Sequence, residues 1–350
     1  MKKIRIAQIG IGHDHASSVF SVLKKMSDIF EVVGYAEVPE DDFADPWAQA
    51  RLKGERRFYQ NEKQYTVDEI LAMPDLDAVA VETYDLNLVK YAQMVADKGL
   101  AIHMDKAPGE SAEAFEKLLS TVKAKNLPFS IGYMYRANPI IKQTFERVKA
   151  GEFGKIHSVD AEMSCFYPKD KRDWLGFFQG GMMQYLGCHL IDLVVRLLGV
   201  PQSITPFVCS TGYQGTTAKD FSLAVLQYPN GASTVKSVMG DYGGYVRRHF
   251  LINGEKSTID IRPLEKCEPN GGLHGISSHS VEYTNEDWNV LGEAAHTGVF
   301  SRYEDMMSDF AAMVRGERGY IVPLEEEARV HRCLLAACGM NCDFKAEIKL

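Results

Sequence analysis

Ile4-Arg5-Ile6-Ala7-Gln8-Ile9-Gly10-Ile11-Gly12-His13-Asp14-His15-Ala16 is an apolar run that breaks into Gly-x-Gly. A buried strand, a glycine turn and a helix in that order build a dinucleotide-binding unit. Gly10 permits the tight turn and Gly12 lets backbone N–H groups approach a pyrophosphate, whose charge the next helix N-terminus favours. The continuation carries more weight than the two glycines. An amphipathic stretch runs through Met26, and Phe30-Glu31-Val32-Val33-Gly34-Tyr35-Ala36-Glu37 then reads as a second strand ending in an acid. This completes a βαβ unit of the expected length with a carboxylate placed for an adenosine ribose. Glu37 accepts from both ribose hydroxyls and repels a 2′-phosphate, and no Lys or Arg follows in the next several residues. The pattern therefore predicts NAD(H) in preference to NADP(H). The third fingerprint position, usually a small residue, is His15. His13 and His15 read either as loop and helix-start residues or as direct contacts to cofactor or substrate.

Strand and helix go on alternating downstream. Phe58-Tyr59 reads as a short strand, and Thr66-Val67-Asp68-Glu69 is a capping box for a helix ending near Pro74. Ala78-Val79-Ala80-Val81 reads as a buried parallel strand, Leu86 to Lys98 as a helix, Ala101 to Met104 as the next strand, and Ser111 caps a helix to Lys125. With a last strand at Phe129 to Tyr133, residues 1–134 form an α/β Rossmann domain, a doubly wound parallel sheet with its ligand crevice at the strand C-termini. Residues 135–350 read as an α+β domain with a largely antiparallel sheet. It has a long strand from Ile156, a helix from about Gly187 to Leu198, hairpins around Pro229-Asn230-Gly231 and Asn253-Gly254, and closing helices Tyr303–Val314 and Leu324–Cys338. The segment from Pro263 to Phe300 is poorly periodic and reads as a long loop region.

Composition narrows the class. The net charge of −8 is spread over both signs with no basic run, which argues against nucleic acid and anionic membrane surfaces as partners. No apolar stretch approaches membrane-spanning length and no leader pattern precedes the first strand, so a cytoplasmic location is expected. The seven cysteines show no C-x-x-C and no zinc-type pairing with histidine, and no metal is assigned.

Three further pieces fall in line: Asp105-Lys106-Ala107-Pro108 after one strand, Tyr135-Arg136-Ala137-Asn138-Pro139 after the next, and Gly180-Gly181-Met182-Met183-Gln184-Tyr185-Leu186-Gly187-Cys188-His189 opening the helix of the second domain. Together with the fingerprint they resemble the Gfo/Idh/MocA family, the glucose–fructose oxidoreductase and inositol dehydrogenase group, in order and over nearly the whole chain. The resemblance implies a nicotinamide-dependent oxidoreductase acting on the hydroxyl or ketone of a sugar, cyclitol or glycoside, and a homodimer or homotetramer. It also implies a catalytic lysine and histidine, carried here by Lys106 and His189. The chain departs from the family at Asp105, which replaces a Glu, at Ala107, inserted before Pro108, and at Tyr185, which replaces an Asp four residues before the histidine.

The candidate residues follow. Lys106, His189 and Tyr185 form the catalytic set, since carbinol oxidation needs a base for the hydroxyl proton and a cation for the developing alkoxide. Gly10, Ile11, Gly12, His13, His15, Glu37, Thr83, Asp105 and Lys106 form the cofactor set. Arg136, Tyr167, Trp174, Tyr185 and His189 form the substrate set. Tyr185 reads equally as a packing ring, Tyr167 and Trp174 as lid packing, Arg136 as a salt bridge, and Asp192 as an i, i+4 partner of Arg196. Two other functions stay open: glycoside cleavage through transient sugar oxidation on retained NAD, and a non-catalytic NAD-binding regulator.

Overall fold

A strand such as Ala78-Val79-Ala80-Val81 has no polar face, so it is stable only where helices cover both sides of its sheet. The computed structural model, which describes residues 2–41, 45–272 and 274–350, places it there with all four residues buried. The strands are β1 (Ile4–Ile9), β2 (Phe30–Ala36), β3 (Ala78–Val81), β4 (Ala101–Met104) and β5 (Phe129–Ile131), paired in parallel in the order β2-β1-β3-β4-β5. The chain leaves β1 toward β2 on one side and returns to β3 on the other. The gap beyond the C-terminal ends of β1 and β3 is therefore the topological switch point, where open α/β sheets take their ligands.

Local chemistry fixes that end of the sheet. Gly10 has φ of +90°, and a Cβ there would lie 2.5 Å from the Thr83 backbone nitrogen. The Gln8 side-chain amide donates to the Gly10 carbonyl at 2.9 Å and to the Tyr59 hydroxyl at 2.8 Å. Tyr59 packs with Phe20 and Tyr35, ring centroids 4.8 and 4.6 Å away, in a core that includes Ile11 and Leu52. Burying each such side chain contributes about 1.5–3 kcal/mol, so the glycine turn is seated on a packed base. Arg56–Tyr59 is a 3-10 turn, not the short strand expected at Phe58-Tyr59. The chain there continues a preceding helix, Pro46–Glu55, and the aromatic pair serves packing instead of pairing. Thr66 caps its helix as expected, with the full reciprocal capping box.

The first unit comprises residues 1–133, 303–328 and 347–350, and the second residues 134–302 and 329–346. The helix Glu304–Val314, expected with the second domain, packs with the first: His103 of β4 meets Phe310 at 5.8 Å between ring centroids.

The second unit holds β6 (Ile156–Glu162), β7 (Ser203–Cys209), β8 (Phe221–Tyr228), β9 (Gly231–Val238), β10 (His249–Gly254), β11 (Thr258–Ile261), β12 (Lys266–Cys267), β13 (Gly275–Ser277), β14 (His279–Tyr283), β15 (Glu293–His296) and β16 (Phe300–Ser301). An eight-stranded sheet runs β15-β14-β11-β10-β6-β9-β8-β7, antiparallel except where β6 meets β9. The loop expected over 263–300 instead carries short strands, with β14 and β15 extending the eight-stranded sheet and β12, β13 and β16 in a small sheet of their own. These strands are short and polar, so they carry no apolar alternation to read. Among the described residues, no helix is long and apolar enough to cross a membrane.

Candidate functional site

The loop after β1 presents its amide N–H groups at the switch point, and they are engaged by an anion from the chain itself. The Asp41 carboxylate accepts from Ile11 N at 3.2 Å, Gly12 N at 2.8 Å and Tyr84 N at 2.7 Å. A Cβ on Gly12 would lie 2.3 Å from the Asp41 carboxyl carbon, so the absence of a side chain there is what admits the anion. Burial pushes the Asp41 carboxyl up to about 6, against the three amides that favour its charge. Arg51 donates to the carbonyls of Gly12 and His13 and pairs with Asp14 at 2.8 Å, which braces the other side of the loop. Of the residues expected at the cofactor, Ile11 and Gly12 supply two of the three amides on this carboxylate, and Gly10 packs closely on Thr83 beside them. Asp41 and Arg51 lie in or beside the weakly patterned stretch between Glu37 and Arg57, which gave no signal of their role.

Glu37 ends up at the tip of β2 but not alone. Arg56, nineteen residues further on, clamps it with Nε at 3.1 and 3.0 Å from the two carboxylate oxygens and Nη2 at 2.7 Å. The cation that the local sequence lacks is supplied by the fold.

Behind the turn lies a group of buried ionisable side chains from the ends of β1, β3 and β4. His13, Glu82, Asp105 and Lys106 are at most 1 % exposed and Asp85 4 %. His13 Nδ1 and His15 Nδ1 lie 3.2 and 3.1 Å from the same Asp105 Oδ2, and His13 Nε2 lies 2.9 Å from the Lys106 carbonyl oxygen. Lys106 Nζ is 4.0 Å from Asp85 Oδ1. Burial alone would lower the His13 imidazole, but Asp105 and Asp85 together outweigh it and hold His13 well above the usual histidine range. For His15 burial wins and its value is lowered. The Lys106–Ala107 peptide bond is cis.

In the second unit, Tyr185 lies in a π-type turn, Met183–Gly187, that runs into the helix Cys188–Leu198 carrying His189. Both side chains are buried. The rings have different company: Tyr185 packs against Trp174 at 5.6 Å and Phe178 at 6.0 Å, and His189 edge-on against Tyr135 at 5.0 Å. Lys171, 8 % exposed, sits 3.9 Å over the Tyr167 ring and 5.3 Å over that of Tyr185. Sequence reading missed it, because Lys169-Asp170-Lys171-Arg172 looks like a solvated charged turn.

For Arg136, Asp192 and Trp174 the structure favours the packing and pairing alternatives. Arg136 does not present a free guanidinium to a substrate: its Nε and Nη2 hold Asp192 at 3.0 and 2.6 Å in a buried fork. Asp192 accordingly pairs with Arg136 and is not simply the i, i+4 partner of Arg196. Trp174 is 2 % exposed and packed edge-on against Phe178 at 5.1 Å, so it offers no open face for stacking on a sugar. Tyr167 stays partly exposed beneath Lys171.

Comparison with known proteins completes the description. Residues 141–260 match the family model described as GFO/IDH/MocA C-terminal domain. The oxidoreductase YhhX of Escherichia coli K12 is 23% identical over 270 residues, 73% of this chain and 76% of that one. The rhizopine catabolism protein MocA of Rhizobium meliloti is 26% identical over 180 residues, 51% of this chain and 55% of that one. Among solved structures, a levoglucosan dehydrogenase in complex with NADH and levoglucosan superposes with a TM-score of 0.72 at 16% identity, over 97% of this chain and 98% of the other. UDP-N-acetylglucosamine 3-dehydrogenase of Acidithiobacillus ferrooxidans gives 0.69 at 17% identity, over 97% of both chains. The two structural likenesses show a shared fold.

Proposed function

We propose that this chain is an oxidoreductase of the Gfo/Idh/MocA type, as its match to that family's C-terminal domain over residues 141–260 and its likeness to YhhX and MocA support, and that it is an NAD(H)-dependent dehydrogenase of a sugar, cyclitol or glycoside hydroxyl. The observation that carries the reading is the amide turn of Ile11 and Gly12, which already gathers an anion at the switch point, in the same unit as the buried Lys106. A pyrophosphate would take the place of the Asp41 carboxylate, and Glu37 would hold the adenosine ribose. The levoglucosan dehydrogenase with a similar fold binds NADH, which supports the choice of cofactor.

A nicotinamide bound at this turn would supply the hydride acceptor. The chain's own groups handle the proton and the charge. Lys106 stabilises negative charge on the reacting oxygen, and its ammonium is held by Asp85. Tyr185 and His189 carry the proton away, with the Lys171 ammonium held over the Tyr185 ring. Following NADH formation by absorbance on a panel of sugars and cyclitols tests the reading. Accumulation with one of them supports it, and turnover of a glycoside without NADH release points to transient oxidation instead.

Two binding predictions follow from the turn. Displacing Asp41 returns its carboxyl from about 6 to its usual value near 3.8. Between those values the seated form keeps a proton that the displaced form has lost, so binding releases a proton and weakens as pH falls. Affinity for NAD(H) is expected to be flat above about pH 7 and to drop about tenfold by pH 5, one pH unit below the higher value. Asp41→Ala is expected to tighten binding and abolish this slope in calorimetric titrations at several pH values.

The second concerns cofactor choice. With Arg56 clamped to Glu37, the preference for NAD(H) rests on the carboxylate being retained. Glu37→Ser frees the guanidinium for a 2′-phosphate and is expected to shift the NADP(H)-to-NAD(H) affinity ratio about 10–100-fold toward NADP(H), the scale of one or two charge-assisted hydrogen bonds. Arg56→Ala is expected to shift it the other way. Titrating both cofactors into each variant checks this, and equal binding of both by the unaltered protein removes the role given to Glu37.

A further inference from the structure

We propose that the buried polar group behind the glycine turn is a binding site for a divalent transition-metal cation, with His13 Nδ1, His15 Nδ1, Asp105 Oδ2 and a Glu82 oxygen as its ligands. The two imidazole nitrogens and the Asp105 oxygen all lie within 4.8 Å of one another, with the two N–O separations at 3.2 and 3.1 Å. Ligands bound at about 2.0–2.2 Å in a four-coordinate site stand roughly 3.3–3.5 Å apart, so a small inward or outward adjustment seats an ion.

The ligand atoms are aimed by partners outside the group. His13 Nε2 faces only acceptors, the Lys106 carbonyl at 2.9 Å and Asp85 Oδ1 at 3.4 Å. It therefore carries the proton in the neutral ring, which leaves the Nδ1 lone pair on the side of Asp105. Asp105 Oδ1 accepts the Lys106 N–H at 2.6 Å, which turns Oδ2 toward both histidines. Histidine held through its second nitrogen by a carbonyl, and a carboxylate held through its second oxygen by an amide, are the outer contacts that orient metal ligands. One contact competes. The His15 backbone N–H also donates to His13 Nδ1, at 3.1 Å, and an ion would take over that lone pair.

Glu82 is the independent observation. It is fully buried, neither of its carboxylate oxygens finds a hydrogen-bond partner, and Oε2 lies 3.9 Å from His13 Nδ1. A buried carboxyl with no donor is costly and calls for an explanation. A cation in the position described gives it one. Two imidazoles with two carboxylates suit Zn²⁺, Co²⁺ or Ni²⁺ and not Mg²⁺ or Ca²⁺, which take oxygen ligands. The His15 side chain, 16% exposed, marks the way in.

The test uses the full chain with any polyhistidine tag removed, stripped by chelator and free of nucleotide, so that it stands apart from the dehydrogenase reading. ZnCl₂ and CoCl₂ are titrated by calorimetry, and the Co²⁺ sample is followed by its visible absorption. The expected result is one equivalent bound with micromolar or tighter affinity, visible bands of a four- or five-coordinate cobalt centre, and a higher Tm. His15→Ala, at the partly exposed ligand, and Glu82→Gln are each expected to weaken Co²⁺ binding about 10²-fold and to alter those bands, with Tm in the absence of metal reporting that the variants are folded. No saturable binding by the unaltered protein, or the same affinity and spectrum in a folded His15→Ala variant, overturns the proposal and leaves a proton shared between His13 and its carboxylates as the bond that holds the group together.

Discussion

Lys106→Met is expected to lower kcat by about 10³-fold or more while the protein stays folded and still binds cofactor. The size follows from what the ammonium is asked to do. Removing one preorganised donor from a developing oxyanion costs about 10²–10³ in rate, and a full charge in a site this dry is worth more than a neutral donor. Methionine is chosen because Lys106 is 1 % exposed, so alanine would open a cavity as well as remove the partner of Asp85. Both variants are expected to melt lower than the parent, alanine by more. A Lys106→Met enzyme with near-normal kcat, measured beside Tm and a cofactor titration, rules this side chain out of the chemistry.

Tyr185→Phe is the second large effect. It deletes one oxygen and keeps the ring against Trp174 and Phe178, so the packing that a larger change would disturb is untouched. If the phenol passes the proton, kcat falls about 10²-fold or more, in the range of general acid–base groups. His189→Ala on top of it then adds little, because members of one relay are not additive. A fully active Tyr185→Phe enzyme leaves Lys106 and His189 to do the work, and Tyr185 becomes a wall of the substrate site.

How much of this was legible in the sequence depends on the range over which each residue acts. The parallel sheet was readable because short apolar runs such as Ala101 to Met104 have no other stable use, and Gly10 and Gly12 announce a backbone turn that no other residue permits. The capping box at Thr66 is likewise a four-residue device and was found where it is. What stayed hidden is pairing at a distance. Asp41 on the amides of Ile11 and Gly12, Arg56 on Glu37, and Arg136 on Asp192 join residues 30 and 29, 19 and 56 positions apart, and no local pattern marks the partner that each marked residue finds. The same holds for His13, His15, Glu82 and Asp105. Each is a single polar residue at the end of a strand or the start of a helix, and only the order β1-β3-β4 brings them side by side.

The return of residues 303–328 to the first unit has a consequence for the order in which the protein is made. A nascent chain that has emerged as far as Tyr133 carries all five strands of the parallel sheet but not the Phe310 ring that packs on His103 of β4. The first unit therefore closes its core only once residues 303–328 have been made, after the strands of the second unit. Domains made first usually fold first. Here residues 1–133 are made first, yet their unit is completed by a segment made after the whole of the second sheet.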